Sequence, residues 1–529
     1  MSDATITFVV LGAAVALFVS NRVPVGVVAL GAALALYAAG VLSVEQAFAG
    51  FGDQTVIFIA SLFVVSESLD ATGVTTWAGQ RLIAVTRGRR NHLVVALLGF
   101  AALLTALVTP NGSVAALLPM AAVIAIRLEV TPSKLLIPLA FAAHAGSLLV
   151  LTGSPVNVLV SQAADNAGTG SIGFFEFALV GVPLVLGTLV LVLAFAPRLL
   201  PERRPRSLPA DLSSHARTLM DQYAVDRDAL ARHEVPEALF SRDSGVAEVV
   251  VPPRSPLVGA RMFPGMVTPS GDLVVLAVQR QGEDVAPGEH ALAPGDTLLL
   301  EGAWSALDEH LGDDGEVLVV DTPDAVRRQV VPLGAGARRS LVVVLLMVAA
   351  LASGVVPPAV AGVLAAMAIV LTGVLTAEQA YRAISWTTVV LIAGMIPVSV
   401  AIRQTGAADD LASVLVDVVR GAGPHMLLVG LFVVTTLFGQ AISNTATALI
   451  VVPIAIAAAD DLGISAKPVL MSVVVASAAA FLTPIATPAN MMVLGPGGYR
   501  FGDYWRLGLV MLALYFAVAV GVVPLIWGF

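Results

Sequence analysis

Two stretches of this 529-residue chain repeat each other at a constant spacing. Leu42-Ser43-Val44-Glu45-Gln46-Ala47-Phe48 returns as Leu375-Thr376-Ala377-Glu378-Gln379-Ala380-Tyr381. The register continues without a gap: Thr55-Val56 matches Thr388-Val389, Ile59-Ala60 matches Ile392-Ala393, and Thr72-Gly73 matches Thr405-Gly406. Further on, Asn111 falls opposite Asn444, and Pro155-Val156-Asn157 opposite Pro488-Ala489-Asn490. The shared Glu-Gln, Asn and Pro-x-Asn residues are not generic membrane residues, so the match reads as an internal repeat. Two similar halves of opposite orientation can form one site that opens to either side of a membrane.

Composition requires the membrane. The chain is 57% hydrophobic and only 12% charged, against about 25% charged in an average soluble domain. Apolar runs of about 20 residues recur along both ends. With no Cys, disulfides and thiolate metal sites are excluded. The net charge of -9 offers no basic surface for nucleic acid. Met1-Ser2-Asp3 lacks a basic n-region and leads straight into an apolar segment, which reads as a first membrane helix.

The apolar segments run about 4–19, 23–41, 54–73, 92–126, 133–162 and 173–197, then 340–356, 358–375, 386–403, 424–459, 466–495 and 505–527. Arg and Lys near segment ends set orientation. The stretch 81–90, Arg198, Arg203, Arg204, Arg206, Arg338 and Arg339 mark the inside; the acidic loops 42–53 and 163–172 mark the outside. Arg127 and Lys134 return to the inside, so 92–126 enters and leaves on one side, as a hairpin broken near Thr109-Pro110-Asn111-Gly112. Each half then has five crossings plus one hairpin. Five is odd, so the second half is inverted, with its hairpin, 424–459, broken at Ser443-Asn444-Thr445.

The expected fold is therefore a polytopic α-helical membrane protein of two inverted-topology repeats. Residues 1–200 form the first, 201–337 an insertion, and 338–529 the second. The insertion opens with an unpatterned stretch of mixed charge, 207–243. Strand-like runs follow at 247–251, 273–278 and 297–300, and a short helix at 307–311. They predict a small α+β domain over about 244–312, on the cytoplasmic side.

No enzyme constellation stands out: there is no H-E-x-x-H, Walker loop or G-x-G-x-x-G before a strand. The informative residues are polar ones inside apolar segments. Ser443-Asn444-Thr445-Ala446-Thr447 interrupts one helix pair, and Thr109-Pro110-Asn111-Gly112-Ser113 the other. Thr483-Pro484-Ile485-Ala486-Thr487-Pro488-Ala489-Asn490 breaks a later segment, with Thr152-Gly153-Ser154-Pro155-Val156-Asn157 as its counterpart. A backbone break at membrane depth survives only where its amides and carbonyls find partners. Four half-helix N-termini offer N–H groups and partial positive charge to an anion. Carbonyls with Ser, Thr and Asn oxygens suit Na+. Glu67 and Asp70 read as residues reaching interfacial water, with a proton relay as the alternative. His144 reads as a packing residue and as the best candidate for a titrating group.

At these motifs the chain resembles the divalent anion:sodium symporter family, carriers of sulfate and of di- and tricarboxylates. Ser443-Asn444-Thr445 matches one family tip; Thr487-Pro488-Ala489-Asn490 and Ser154-Pro155-Val156-Asn157 match the two breaks. Leu494-Gly495-Pro496-Gly497-Gly498-Tyr499 is also typical of the family. The resemblance implies a homodimeric carrier working by an elevator-type cycle. It implies one Na+ site from Ser443, Asn444 and Ala486, and another from Thr109, Asn111 and Gly153. Asn111, Gly112, Ser113, Ser154, Pro155, Asn157, Asn444, Thr445, Thr487, Pro488 and Asn490 would surround the substrate. The first tip departs from the pattern: Pro110 stands in place of Ser, removing an N–H, and Gly112 in place of Thr. H+ is the alternative coupling ion.

The insertion resembles the C-terminal lobe of potassium-conductance regulators, the TrkA-C type, through Ser255-Pro256-Leu257-Val258-Gly259, Leu276-Ala277-Val278-Gln279-Arg280 and Pro294-Gly295-Asp296 through Gly302. Such lobes dimerise or bind small regulators. The leading reading is a Na+-coupled carrier of a small divalent anion in the inner cell membrane, multi-pass; a proton-coupled carrier and a channel gated by the inserted domain are the alternatives.

Overall fold

The computed structural model describes residues 2–20, 22–74, 77, 81, 90–127, 130–203, 244–280, 283–285, 289–311, 317–320, 334, 336–419 and 423–529. Most of the basic 81–90 stretch, Arg204, Arg206 and the 207–243 stretch lie outside these. The chain divides into two units: residues 1–68, 79–209 and 339–529, and residues 69–78 with 210–338.

The first half of the larger unit is helical throughout: α1 (Asp3–Ser20), α2 (Val25–Ala38), a short α3 (Val44–Phe48), α4 (Gln54–Ala71), α5 (Arg90–Leu107), α6 (Pro110–Arg127), α7 (Leu136–Gly146), α8 (Pro155–Asn166) and α9 (Ala178–Leu199). Glu67 and Asp70 lie on the last turns of α4, and both have polar partners.

The smaller unit holds strands β1 (Ser244–Val250), β2 (Arg261–Met262), β3 (Leu273–Arg280), β4 (Glu283–Asp284), β5 (His290–Ala291) and β6 (Thr297–Ala303), helix α10 (Trp304–His310), and β7 (Leu318–Val319). Five strands form one antiparallel sheet in the order β4-β3-β6-β1-β7. Its core is Val249 and Val251 with Val275, Leu298 and Leu300, covered by Trp304 and Leu307 of α10. Short apolar runs bounded by Pro and Gly turns made the long strands legible. β7 adds to the sheet edge at 318–319, past the 244–312 span read from sequence; a two-residue strand carries no period to read. Asp296, in the Pro-Gly-Asp turn, is buried and takes a two-pronged bond from Arg280, at 2.8 and 2.7 Å. That guanidinium and the Ala293 N–H hold its carboxyl below the usual range against the opposing effect of burial.

The helical series then returns: α11 (Ala337–Ser353), α12 (Pro358–Leu371), α13 (Ala377–Ala383), α14 (Trp386–Gln404), α15 (Ala407–Val419), α16 (Pro424–Gly439), α17 (Asn444–Asp461), α18 (Ala466–Ser477), α19 (Pro488–Leu494) and α20 (Tyr504–Ala517), closed by a π turn (Val518–Val522) and α21 (Val523–Trp527). Among the described residues, six helices are long and apolar enough to cross a membrane.

Local geometry repeats along with sequence. Ser43 and Gln46 exchange bonds of 3.2 and 2.9 Å at the start of α3; Thr376 and Gln379 do so at 3.1 and 2.9 Å at the start of α13. This reciprocal cap explains why Gln is repeated there. Gly73 and Gly406 both sit at positive φ, 69° and 76°, where a side chain would be strained.

Two lysines at equivalent places, each opening the segment before a break, meet opposite ends of α9. Lys134 Nζ donates to the Pro197 and Leu200 carbonyls at 2.9 and 2.6 Å. Lys467 Nζ pairs with Glu176 at 2.7 Å, where Trp527 Nε1 also donates. The 22 residues of α9 at about 1.5 Å rise each span about 33 Å.

Candidate functional site

Each of the four breaks ends one helix and starts another. Gaps fall between α5 and α6, between α16 and α17, and, with a short 3-10 turn inside each, between α7 and α8 and between α18 and α19. Pro110, Pro155 and Pro488 occupy first helical positions, where the missing N–H costs nothing. The starts are not bare, as free N–H groups would be. A hydroxyl caps each one: Thr109 accepts from Gly112 N at 3.4 Å, Ser154 from Val156 N at 3.2 Å, Ser443 from Ala446 N at 3.2 Å, and Thr487 from Asn490 N at 3.3 Å. Each cap satisfies one orphan amide and turns the helix start inward.

Asparagines hold both broken segments in the same way. Asn157 Nδ2 donates to the Ser147 and Val150 carbonyls at 2.7 and 2.9 Å; Asn490 Nδ2 donates to the equivalent Ala480 and Thr483 carbonyls at 2.8 and 3.2 Å. Both side chains are fully buried. Gly153 sits where an added Cβ would strike the Ser147 carbonyl. Thr152 Oγ1 donates to the Ala106 carbonyl, and Thr483 Oγ1 to the Gln440 carbonyl, so each hairpin is bonded to the break of its own half.

Other bonds cross between halves. Asn111 Oδ1, at the first tip, accepts from Ala489 N at the start of α19, 3.1 Å away. His144 Nε2 lies 3.1 Å from Thr487 Oγ1 and 3.4 Å from Asn490 Oδ1. Within the second half, Tyr504 Oη donates to the Asn490 carbonyl at 2.7 Å. Tyr499 Oη accepts from Ile137 N and donates to the Ser133 carbonyl, which accounts for the Gly-Gly-Tyr motif as an anchor for the start of α7. His144, read from sequence as a packing or titrating residue, is thus brought to the second break; no sequence signal pairs it with Thr487.

Asn444 Oδ1 and the Ser113 hydroxyl are buried without a hydrogen-bond partner among the described residues, as is Thr447 Oγ1. Thr445 is buried beside them in α17. Ala486 ends the 3-10 turn before Thr487. Apart from the His144 imidazole, the polar atoms gathered at these motifs are amide, hydroxyl and carbonyl groups, and the described residues hold no cluster of three His, Cys, Asp or Glu. Neutral oxygens of this kind fit an alkali cation and not a transition metal. Two cavities of about 350 and 270 Å³ flank Thr55 and Gln162; neither is lined by Asn111, Ser154, Asn444 or Thr487.

Six long apolar helices are those of a multi-pass membrane protein, and its family and relatives make it a transporter and not an enzyme. The chain belongs to the CitMHS family, described as citrate transporter, whose model matches residues 15–448 and 417–529. It is 30% identical over 601 aligned residues to an uncharacterized transporter, YfbS, of Escherichia coli, covering 98% of both chains. It is 28% identical over 273 residues to probable sodium/sulfate cotransporter 3 of Chlamydomonas reinhardtii, covering 50% of this chain and 30% of that one. The solved YdaH transporter of Alcanivorax borkumensis superposes with a TM-score of 0.49 and 15% identity, covering 92% of this chain and 88% of that one.

Proposed function

We propose that this protein is a secondary active transporter of a small divalent anion, sulfate-like or a di- or tricarboxylate, coupled to Na+ and working by elevator-type alternating access. The observation that carries the reading is the bonding of Asn111 to Ala489: a hairpin tip from one half meets a helix start from the other. Such a junction of capped N-termini recognises an anion through amides and hydroxyls, without Lys or Arg at the motifs. The name of the Chlamydomonas relatives supports Na+ with sulfate, and that of the family supports citrate. Asn444, with the Ser443 and Ala486 backbone, would hold one Na+. Lys134 and Lys467 at opposite ends of α9 support an inverted relation between the halves.

The β-sheet unit is read as a TrkA-C-type domain inserted between a first repeat, 1–200, and a second, 338–529. It would face the cytoplasm of a homodimer in the inner membrane. Deleting 207–333 with a short flexible linker should leave anion binding in place; complete loss in a protein that still inserts would put the domain inside the transport cycle.

Uptake of radiolabelled sulfate, succinate and citrate into proteoliposomes tests the proposal. Saturable uptake driven by a Na+ gradient, and absent with choline, is expected. Uptake driven by a pH gradient alone would assign the coupling to protons. Non-saturating flux would favour a channel.

A further inference from the structure

His144, on the last turn of α7, is buried at 2% exposure. The neighbouring Asn490 amide has a fixed orientation, because its nitrogen faces the Ala480 and Thr483 carbonyls. Its oxygen therefore faces the imidazole, 3.4 Å from Nε2. An amide oxygen only accepts, so Nε2 carries the hydrogen. Nε2 has one hydrogen, shared between the Asn490 oxygen and the nearer Thr487 Oγ1 at 3.1 Å; Thr487 Oγ1 thus accepts from the imidazole and also from Asn490 N–H. A hydroxyl has two lone pairs and one proton. Both lone pairs are occupied, which leaves the proton free to donate.

The first half holds its break without this device. Asn157 makes the same two carbonyl bonds as Asn490. The residue equivalent to His144 is Ser477, whose hydroxyl turns back to the Val473 carbonyl at 2.8 Å. Asn157 Oδ1 is buried with no hydrogen-bond partner among the described residues. A histidine is thus not required to build a break of this shape, and its presence in one half calls for another task.

We infer that His144 is a positioning residue of the anion site: its Nε2–H fixes the Thr487 hydroxyl as a committed donor toward a bound anion. The inference rests on the anion-carrier reading and adds an inequality between the halves, since among the described residues no imidazole is bonded to Ser154 to set its direction.

The test is proteoliposome uptake of radiolabelled sulfate and citrate by wild type, His144→Leu, His144→Gln, Thr487→Val and the Leu/Val double variant. Losing one committed donor should raise KM about tenfold in His144→Leu, with Vmax within about twofold of wild type. Gln places an N–H near the position of Nε2 and should keep KM within about threefold. In the Thr487→Val background, His144→Leu should add less than about twofold, because its target is gone. An unchanged KM in His144→Leu, a loss in Vmax alone, a Gln variant as poor as Leu, or additive effects in the double variant would each overturn the inference. If His144→Leu fails to insert, His144→Gln and Thr487→Val carry the test: retained KM in the first and about a tenfold rise in the second are expected, and any other pair of results overturns it. If wild type takes up neither anion, the anion reading itself fails. Melting of the same variants then decides the bridge, with additive losses in melting temperature ruling it out.

Discussion

The two hairpin tips occupy equivalent places and use their asparagines in opposite ways. At the first, Asn111 gives its oxygen to Ala489 N–H of the other half. At the second, Asn444 keeps a buried oxygen with no partner among the described residues. The flanking residues differ in the same sense. Pro110 and Gly112 supply neither the side-chain hydroxyl nor, at Pro110, the N–H that Ser443 and Thr445 supply. A buried polar atom left unpaired costs free energy unless something fills the gap. A repeat can therefore keep its backbone plan while its two asparagines diverge: Asn111 is taken up by Ala489, whereas Asn444 keeps an oxygen unpaired, as Ser113 keeps its hydroxyl at the first tip.

The comparison is most directly broken by alanine at each tip. Asn444→Ala should abolish uptake, at least about a hundredfold, while the protein still inserts and melts normally. Asn111→Ala should lower uptake only about tenfold and also lower the melting temperature, because it strands the Ala489 amide. Equal defects at equal membrane expression would erase the distinction.

Restoring the missing groups sharpens it. Wild-type uptake should depend on Na+ with a Hill coefficient nearer one than two. The Pro110→Ser/Gly112→Thr variant should move that coefficient toward two. A wild-type value clearly above two would show that backbone carbonyls already complete the first site.

The paired clamps give a smaller contrast. Asn157→Leu and Asn490→Leu each remove two bonds to buried carbonyls, at about 1–3 kcal/mol for each group left unsatisfied. Asn490→Leu should melt lower, since it also takes the Asn490 oxygen from His144. Differential scanning fluorimetry in detergent would show this, and equal losses would argue against the His144 contact.

The smallest effect lies outside both halves. Asp296→Asn should lower the melting of the sheet unit by about 5 °C and leave uptake unchanged. Its carboxyl is held below the usual value in the fold, so the folded state binds fewer protons there than the unfolded one. The stabilisation is complete above the unfolded value of about 3.9 and is lost as pH falls through the lowered one. Acid melting that is the same in Asp296→Asn and wild type would remove the pair from this account.

Much of this arrangement could be read from the chain. Small polar runs inside apolar segments marked both hairpins, and Pro with Asn marked both broken helices, because a break at membrane depth needs such residues. The long strands followed from short apolar runs between Pro and Gly turns. What could not be read were bonds between residues hundreds of positions apart. Nothing near Asn111 in sequence names Ala489, and nothing near His144 names Thr487. Lys134 read as an inside charge at a segment end, and nothing in the sequence brings it or Lys467 to the two ends of α9.

The Tyr499 anchor has a consequence for how such a chain is made. Its phenol completes the hydrogen bonding of Ile137, 362 residues earlier. At about 5–20 residues per second, a ribosome needs tens of seconds to cover that distance. Through that interval the emerging first half sits in the bilayer with the start of α7 unfinished. Full assembly therefore waits for the last stretch of translation, and a message truncated before residue 499 would yield a half that can insert but cannot lock.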